Sequence, residues 1–193
     1  MRPIHVRIDE LKEKLLDPRM LTNQGLGNEV GFYIFDYEPE EELIVRNSLP
    51  AVKKYVERES REVRIQVFDL YDIVIDFFES KGYMEKNFNL EEKRGSYALY
   101  DTMQKALRLA TNQDWIVRYI RDNMDEDAII FLTGVGKVFP IVRSHSILNN
   151  LQTVVEKQPL IMFYPGKYED GSLKLFTLFK DDNYYRAFKI IED

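Results

Sequence analysis

Two short runs of this chain carry residue types whose spacing could do chemistry. Gly134-Val135-Gly136-Lys137 follows an apolar run, where a glycine-rich loop ending in lysine could wrap a phosphate with successive backbone N–H groups. A working phosphate loop needs Gly-x-x-x-x-Gly-Lys-[Ser/Thr]. Here Phe131 stands five before Gly136 and Val138 follows Lys137, so the first glycine and the magnesium-holding hydroxyl are both absent. The simpler reading is a tight strand-to-helix connection that needs glycine conformations. The second candidate is a carboxylate pair. Asp36 and Asp69 end two apolar runs that look like adjacent strands, at the edge where open parallel sheets place their sites. With Glu38, Glu40 and Asp72 nearby, they could hold magnesium in a nuclease or phosphatase. Against this, Asp69 suits a helix N-cap and Glu40-Glu41-Glu42 suits a helix start. A nuclease-like Glu-x-Lys is also missing, since Gln66 separates Ile65 from Val67.

A third group surrounds His145, with Arg143 two before it and Asn149 four after; near a helix start such a stripe could hold an anion. A lone histidine serves structure more often, and no Ser-His-Asp set can be assembled by spacing. Aromatics interleaved with cations recur at Phe163-Tyr164-Pro165-Gly166-Lys167-Tyr168 and Tyr184-Tyr185-Arg186-Ala187-Phe188, the composition of interface hot spots. Alternation along a strand sends Tyr184 and Tyr185 to opposite faces, so one anchors the core while the other, or Arg186, meets a partner or an internal carboxylate such as Asp36 or Asp69. No residue set meets the requirements of a catalytic, cofactor or metal site, and the expectation is a protein without a cofactor.

These residues need elements to position them. Ile4, Ile8, Leu11 and Leu15 form one stripe of a helix that Asp17-Pro18 ends, and a loop follows over 22–28. Apolar runs at 30–35, 63–68, 128–132 and 160–164 predict four strands. The second of these alternates apolar and polar residues. Helical patterns cover 40–59, in two pieces with Pro50 just inside the second, and 70–79, capped by Asp69 and stopped by Gly82. A helical insertion fills 83–124, with Tyr97, Tyr100, Met103 and Leu107 on one stripe. Pro140 opens a helix over 141–155, and 173–179 and 185–191 read as edge strands. The expected fold is one α/β domain over 1–193: a mainly parallel sheet flanked by helices, an insertion between strands two and three, and antiparallel edge strands at the C-terminus.

Composition narrows the classes. The 193 residues include no cysteine and two histidines, which excludes disulfides, thiolate zinc sites, iron–sulfur clusters and cysteine nucleophiles. A net charge of −6 with scattered cations disfavours direct nucleic-acid binding by the chain alone. No run approaches a membrane span, and the N-terminus lacks a secretory apolar run, so a cytoplasmic, non-membrane protein is expected.

Taken together, the motifs resemble one family. Asp36-Tyr37-Glu38-Pro39-Glu40-x-Glu42-Leu43-x-Val45-Arg46 and Phe68-Asp69-Leu70-Tyr71-Asp72 look like its first two motifs. Leu132-Thr133-Gly134-Val135-Gly136-x-Val138-Phe139-Pro140-x-Val142-Arg143-x-His145-x-Ile147-Leu148-Asn149-Asn150-Leu151-Gln152 matches the third closely. Phe163-Tyr164-Pro165-Gly166-x-Tyr168, Leu173-x-Leu175-Phe176 and Asp182-Asn183-Tyr184-Tyr185-Arg186-Ala187-Phe188 follow in order. The resemblance, from about Glu29 to Ile191, is to the BrxB family of BREX bacteriophage-defence systems; 84–124 matches only loosely. It implies a role in phage resistance without an accepted active site. The implied partners are other BREX proteins: PglZ foremost, then the BrxC ATPase and the PglX methyltransferase. Non-catalytic adaptor is therefore the expected role, and a degenerate nucleotide-binding or metal-dependent phosphoesterase the alternative.

Overall fold

The computed structural model describes residues 2–21, 31–155, 157–169, 171–180 and 187–192. Helices α1 (Ile4–Leu15) and α2 (Pro18–Leu21) precede strand β1 (Phe32–Tyr37). A 3-10 turn at Pro39–Glu41 leads into α3 (Glu42–Glu59), then β2 (Arg64–Asp69) and α4 (Leu70–Ser80). The insertion holds α5 (Met84–Arg94), α6 (Ser96–Leu107) and α7 (Trp115–Asn123). The chain continues through β3 (Ala128–Thr133), α8 (Val135–Val138), α9 (Ser144–Leu151), β4 (Leu160–Glu169), β5 (Ser172–Leu175), β6 (Phe179–Lys180) and β7 (Phe188–Lys189). Strands β2-β3-β4-β1-β7 lie in that order, and every neighbouring pair is parallel. β5 pairs antiparallel with the far half of β4, and β6 with β5. The α/β class and the antiparallel C-terminal strands match expectation, except that the last strand, β7, runs parallel to β1.

Period-two alternation builds two cores from the same strands. Phe32, Ile34, Ile130, Leu132, Leu160 and Met162 face α4, α6, α7 and α9. Phe35, Ile129, Phe131, Ile161 and Phe163 face α1 and α3. With helices on both faces, the inner strands are apolar on both sides, which is why they read as continuous runs. Among the described residues, no helix is long and apolar enough to cross a membrane.

Four local expectations need correction. Residues 42–59 form one helix, with Pro50 inside it on the exposed face; Ser48 returns its hydroxyl to Ile44 O (2.7 Å) instead of capping a new helix. In β2 the alternation fails at Val67, which is exposed while Phe68 is buried, because β2 is an edge strand that the α1–α3 layer does not cover there. Gly95, at φ 79°, separates α5 from α6 and leaves Tyr97 on the surface, away from the Met103 and Leu107 stripe. Pro140 follows a cis Phe139–Pro140 bond in a turn and opens no helix; Val142 N closes onto Val138 O, and the chain re-enters a helix at Ser144, which ends at Leu151.

Candidate functional site

The glycine loop lies where β2 and β3 end side by side, with Asp69 aligned to Thr133. Asp69 Oδ1 accepts from Tyr71 N (3.0 Å) and Asp72 N (3.3 Å), the N-cap geometry expected for α4. Its Oδ2 accepts from Thr133 Oγ1 (3.1 Å) and meets Lys137 Nζ at 2.8 Å. Lys137 also lies over the Tyr71 ring, 5.1 Å from its centre, and 3.7 Å from Asp72. The lysine of the loop is therefore tied to the cap of the neighbouring helix. Gly134 sits at φ 75°, and a Cβ there would lie 2.3 Å from Asp69 Oδ1. Gly136 is needed for another reason: a Cβ would press at 3.0 Å on Phe176 and Pro165. Both glycines serve close packing between strand ends, and α8 is a single turn.

Asp36 ends β1, which β3 and β4 separate from β2. Three inter-strand steps of about 4.8 Å hold Asp36 and Asp69 roughly 14 Å apart, too far to share one ion. This corrects the expectation of adjacent strands. Asp36 is fully buried, and its environment is closed on all sides. Arg7 donates to Asp36 O (2.7 Å) and Oδ1 (3.0 Å), Tyr168 N donates to Oδ2 (3.0 Å), and Lys189 Nζ lies 3.2 Å from Oδ2. Arg7 also stacks over Phe35. This cluster joins α1, β1, β4 and β7. Sequence reading missed Arg7, although the signal was present: it falls on the Ile4–Ile8–Leu11 stripe, where a charge must find a buried partner.

The remaining motif residues disperse. Glu38 lies 3.9 Å from Lys167, and its N–H donates to Glu41 Oε2 (3.3 Å). Tyr37 donates to Glu42 Oε2 (2.6 Å); burial first, then the Glu42 charge, pushes its hydroxyl pKa far up, and Arg46 on the exposed side of α3 offsets this in part. Asn149 is exposed. Asn150 reaches Asp114 Oδ2 (3.4 Å), whose carboxylate caps α7 by accepting from Ile116 N (3.0 Å) and Val117 N (3.3 Å). Burial raises the Asp114 pKa in spite of these bonds. Asp114 was also unread, since Asn-Gln-Asp before Trp115 resembles any polar loop. Tyr184, Tyr185 and Arg186 lie outside the described residues.

Arg143 and His145 do come together, in the lining of a cavity of about 390 Å³ beyond the C-terminal end of β3 and beside the middle of β4. Phe139, Tyr164, Leu175 and Phe179 form its apolar walls, and Ser144 lies between the two basic residues. β1 leads into α3 on one face and β3 into α9 on the other, so the connections part near this edge, the usual place for a site in an open sheet. Among the described residues, no three His, Asp or Glu side chains cluster as metal ligands would.

Comparison with known proteins agrees with the motif pattern. The family model described as BREX protein BrxB matches residues 66–190. A BREX protein BrxB of Bacillus cereus (strain H3081.97) is 48% identical over 192 residues, covering 100% of both chains. One of Escherichia coli O9:H4 (strain HS) is 35% identical over 192 residues, covering 98% of this chain and 92% of its own. No solved structure matches the chain. Full-length identity of this order, with the family model over most of the chain, places the protein in the BrxB family, as a component of a BREX system.

Proposed function

We propose that the chain is a non-catalytic adaptor of a BREX assembly, active in phage defence through its contacts with other BREX proteins, PglZ foremost and BrxC and PglX with it. The observation that carries this reading is what the chemistry-bearing residues do. Asp69 and Lys137 hold the start of α4 against the glycine loop, and Asp36 neutralises Arg7 inside the fold. The side chains that a lysine-bearing phosphate loop or an Asp36–Asp69 site would use already bind the chain's own atoms. Exposed apolar side chains on separate elements, among them Leu43 and Ile44 on α3 and Leu178 and Phe179 by the cavity, suit protein contacts instead.

The test is affinity purification of the tagged full-length chain from cells expressing the whole BREX cluster. PglZ should be retained in stoichiometric amount. In parallel, Lys137→Ala should keep phage restriction, since an adaptor does not need that ammonium for chemistry. A chain that retains no BREX protein, or loses restriction with Lys137→Ala while staying folded, overturns the adaptor reading.

A further inference from the structure

The cavity beside α9 has polar groups that the fold leaves without work. α9 is eight residues long and begins at Ser144, with Arg143 as its extended N-cap residue. Its first turn sets Ser146 N and Ile147 N against Arg143 O (3.1 and 3.4 Å). Ser144 stands ahead of that turn. It is 8% exposed, lines the cavity, and among the described residues neither its N–H nor its hydroxyl has a partner. The hydroxyl belongs to the accessible lining of the cavity, so it can donate to whatever enters. Arg143 lines the same cavity, is exposed, and forms no ion pair among the described residues. A helix N-terminus, a hydroxyl donor open to the cavity and a guanidinium in the same lining attract negative charge. The other walls attract something different. Phe139 and Phe179 have ring centres 5.0 Å apart, Tyr164 and Leu175 close the inner side, and Leu178 stands at the mouth.

We infer that this cavity is a binding site for an oxyanion carried on an aromatic or branched apolar body. The oxyanion sits against Arg143 and Ser144, and the body sits against Phe139, Tyr164 and Phe179. A volume of about 390 Å³ accommodates a group of that size and lies within the ordinary range of small-ligand sites. The anion can be a carboxylate or a phosphate, and the site stands whether or not the chain is an adaptor.

The experiment is an NMR titration of the ¹⁵N-labelled full chain, following the amide signals of residues 144–147. Three probes are compared: N-acetylphenylalanine, its uncharged amide, and inorganic phosphate. N-acetylphenylalanine should shift these signals saturably with a Kd on the order of 1 mM, and the amide should bind about tenfold more weakly or not at all. Arg143→Gln and Ser144→Ala should each weaken the acid several-fold while leaving the rest of the spectrum in place. Saturation by phosphate at lower concentration than the acid identifies a phosphorylated ligand; saturation by the acid alone identifies a carboxylate. The inference is overturned if neither anion gives a saturable shift, if the amide binds as tightly as the acid, or if both variants keep full affinity.

Discussion

The two ends of the sheet's C-terminal edge treat charge in opposite ways. At the β1–β7 end, Asp36 is enclosed by Arg7, Lys189 and the Tyr168 amide, and each contact comes from a different element. At the β3–α9 end, Arg143 and Ser144 border open space and bind nothing among the described residues. Asp36 and Arg143 both belong to family motifs, the first and the third, so motif membership does not distinguish a residue that holds the fold from one that faces a ligand. Burial and partners do. The closed end is a clamp built around one buried carboxylate; at the open end Arg143 is exposed and can change without disturbing the core.

That contrast is sharpest at Asp36. Asp36→Ala takes the carboxylate away from fully buried Arg7 and partly buried Lys189, a change expected to cost about 3–5 kcal/mol and to lower Tm by roughly 10 °C, measured by calorimetry. A loss below about 1 kcal/mol would mean that the clamp is not a clamp. Gly134→Ala comes next, since the new methyl meets Asp69 Oδ1 in a left-handed conformation; a loss of about 2 kcal/mol in chemical denaturation is expected.

A smaller effect depends on pH and belongs to the helical insertion. Asp114 is buried, and its raised pKa means that the folded state holds a proton more tightly than the unfolded state does. Its contribution is therefore full below the unfolded value and is lost as pH rises through the folded one. Asparagine keeps the cap without the charge, so Asp114→Asn should lie within about 1 kcal/mol of the parent at pH 4.5 and gain on it by pH 7.5. Denaturation midpoints at the two pH values check the sign. The smallest effect belongs to the open end: Arg143→Ala should leave stability within about 0.5 kcal/mol of the parent, and a larger loss would show that this end is structural too.

Much of this arrangement is readable in the sequence. The three inner runs became β1, β3 and β4 because burial on both faces forces continuous apolar character. Asp69 was readable as a cap because capping is local. What escaped depends on distance or on context. Arg7 and Asp36 are 29 positions apart, and nothing near either names the other. Strand order is equally silent, so Asp36 and Asp69 looked like neighbours while two strands lay between them. Pro50 and Pro140 each suggested a helix start. Pro50 lies inside a helix on its exposed face, and Pro140 belongs to a turn, and the difference comes from which carbonyls around each find other donors. The cavity was not readable, because its walls come from β4, α9 and the β5–β6 hairpin, which meet only in the folded chain.

Strand order also has a consequence for synthesis on the ribosome. β1 is made early, yet both of its neighbours come late: Phe32 aligns with Leu160, and Tyr33 with Phe188. β2 and β3 can pair as soon as Thr133 has emerged, with α4 and α7 already available to cover them. Until β4 emerges, β1 is an apolar strand with two open edges, shielded by little more than α1 and α3, and Asp36 has only Arg7 of its final partners within the emerged chain. The Arg7 contact can therefore neutralise the aspartate on the nascent chain long before Lys189 exists, and slowing synthesis between β1 and β4 should lengthen the time in which β1 is open to aggregation.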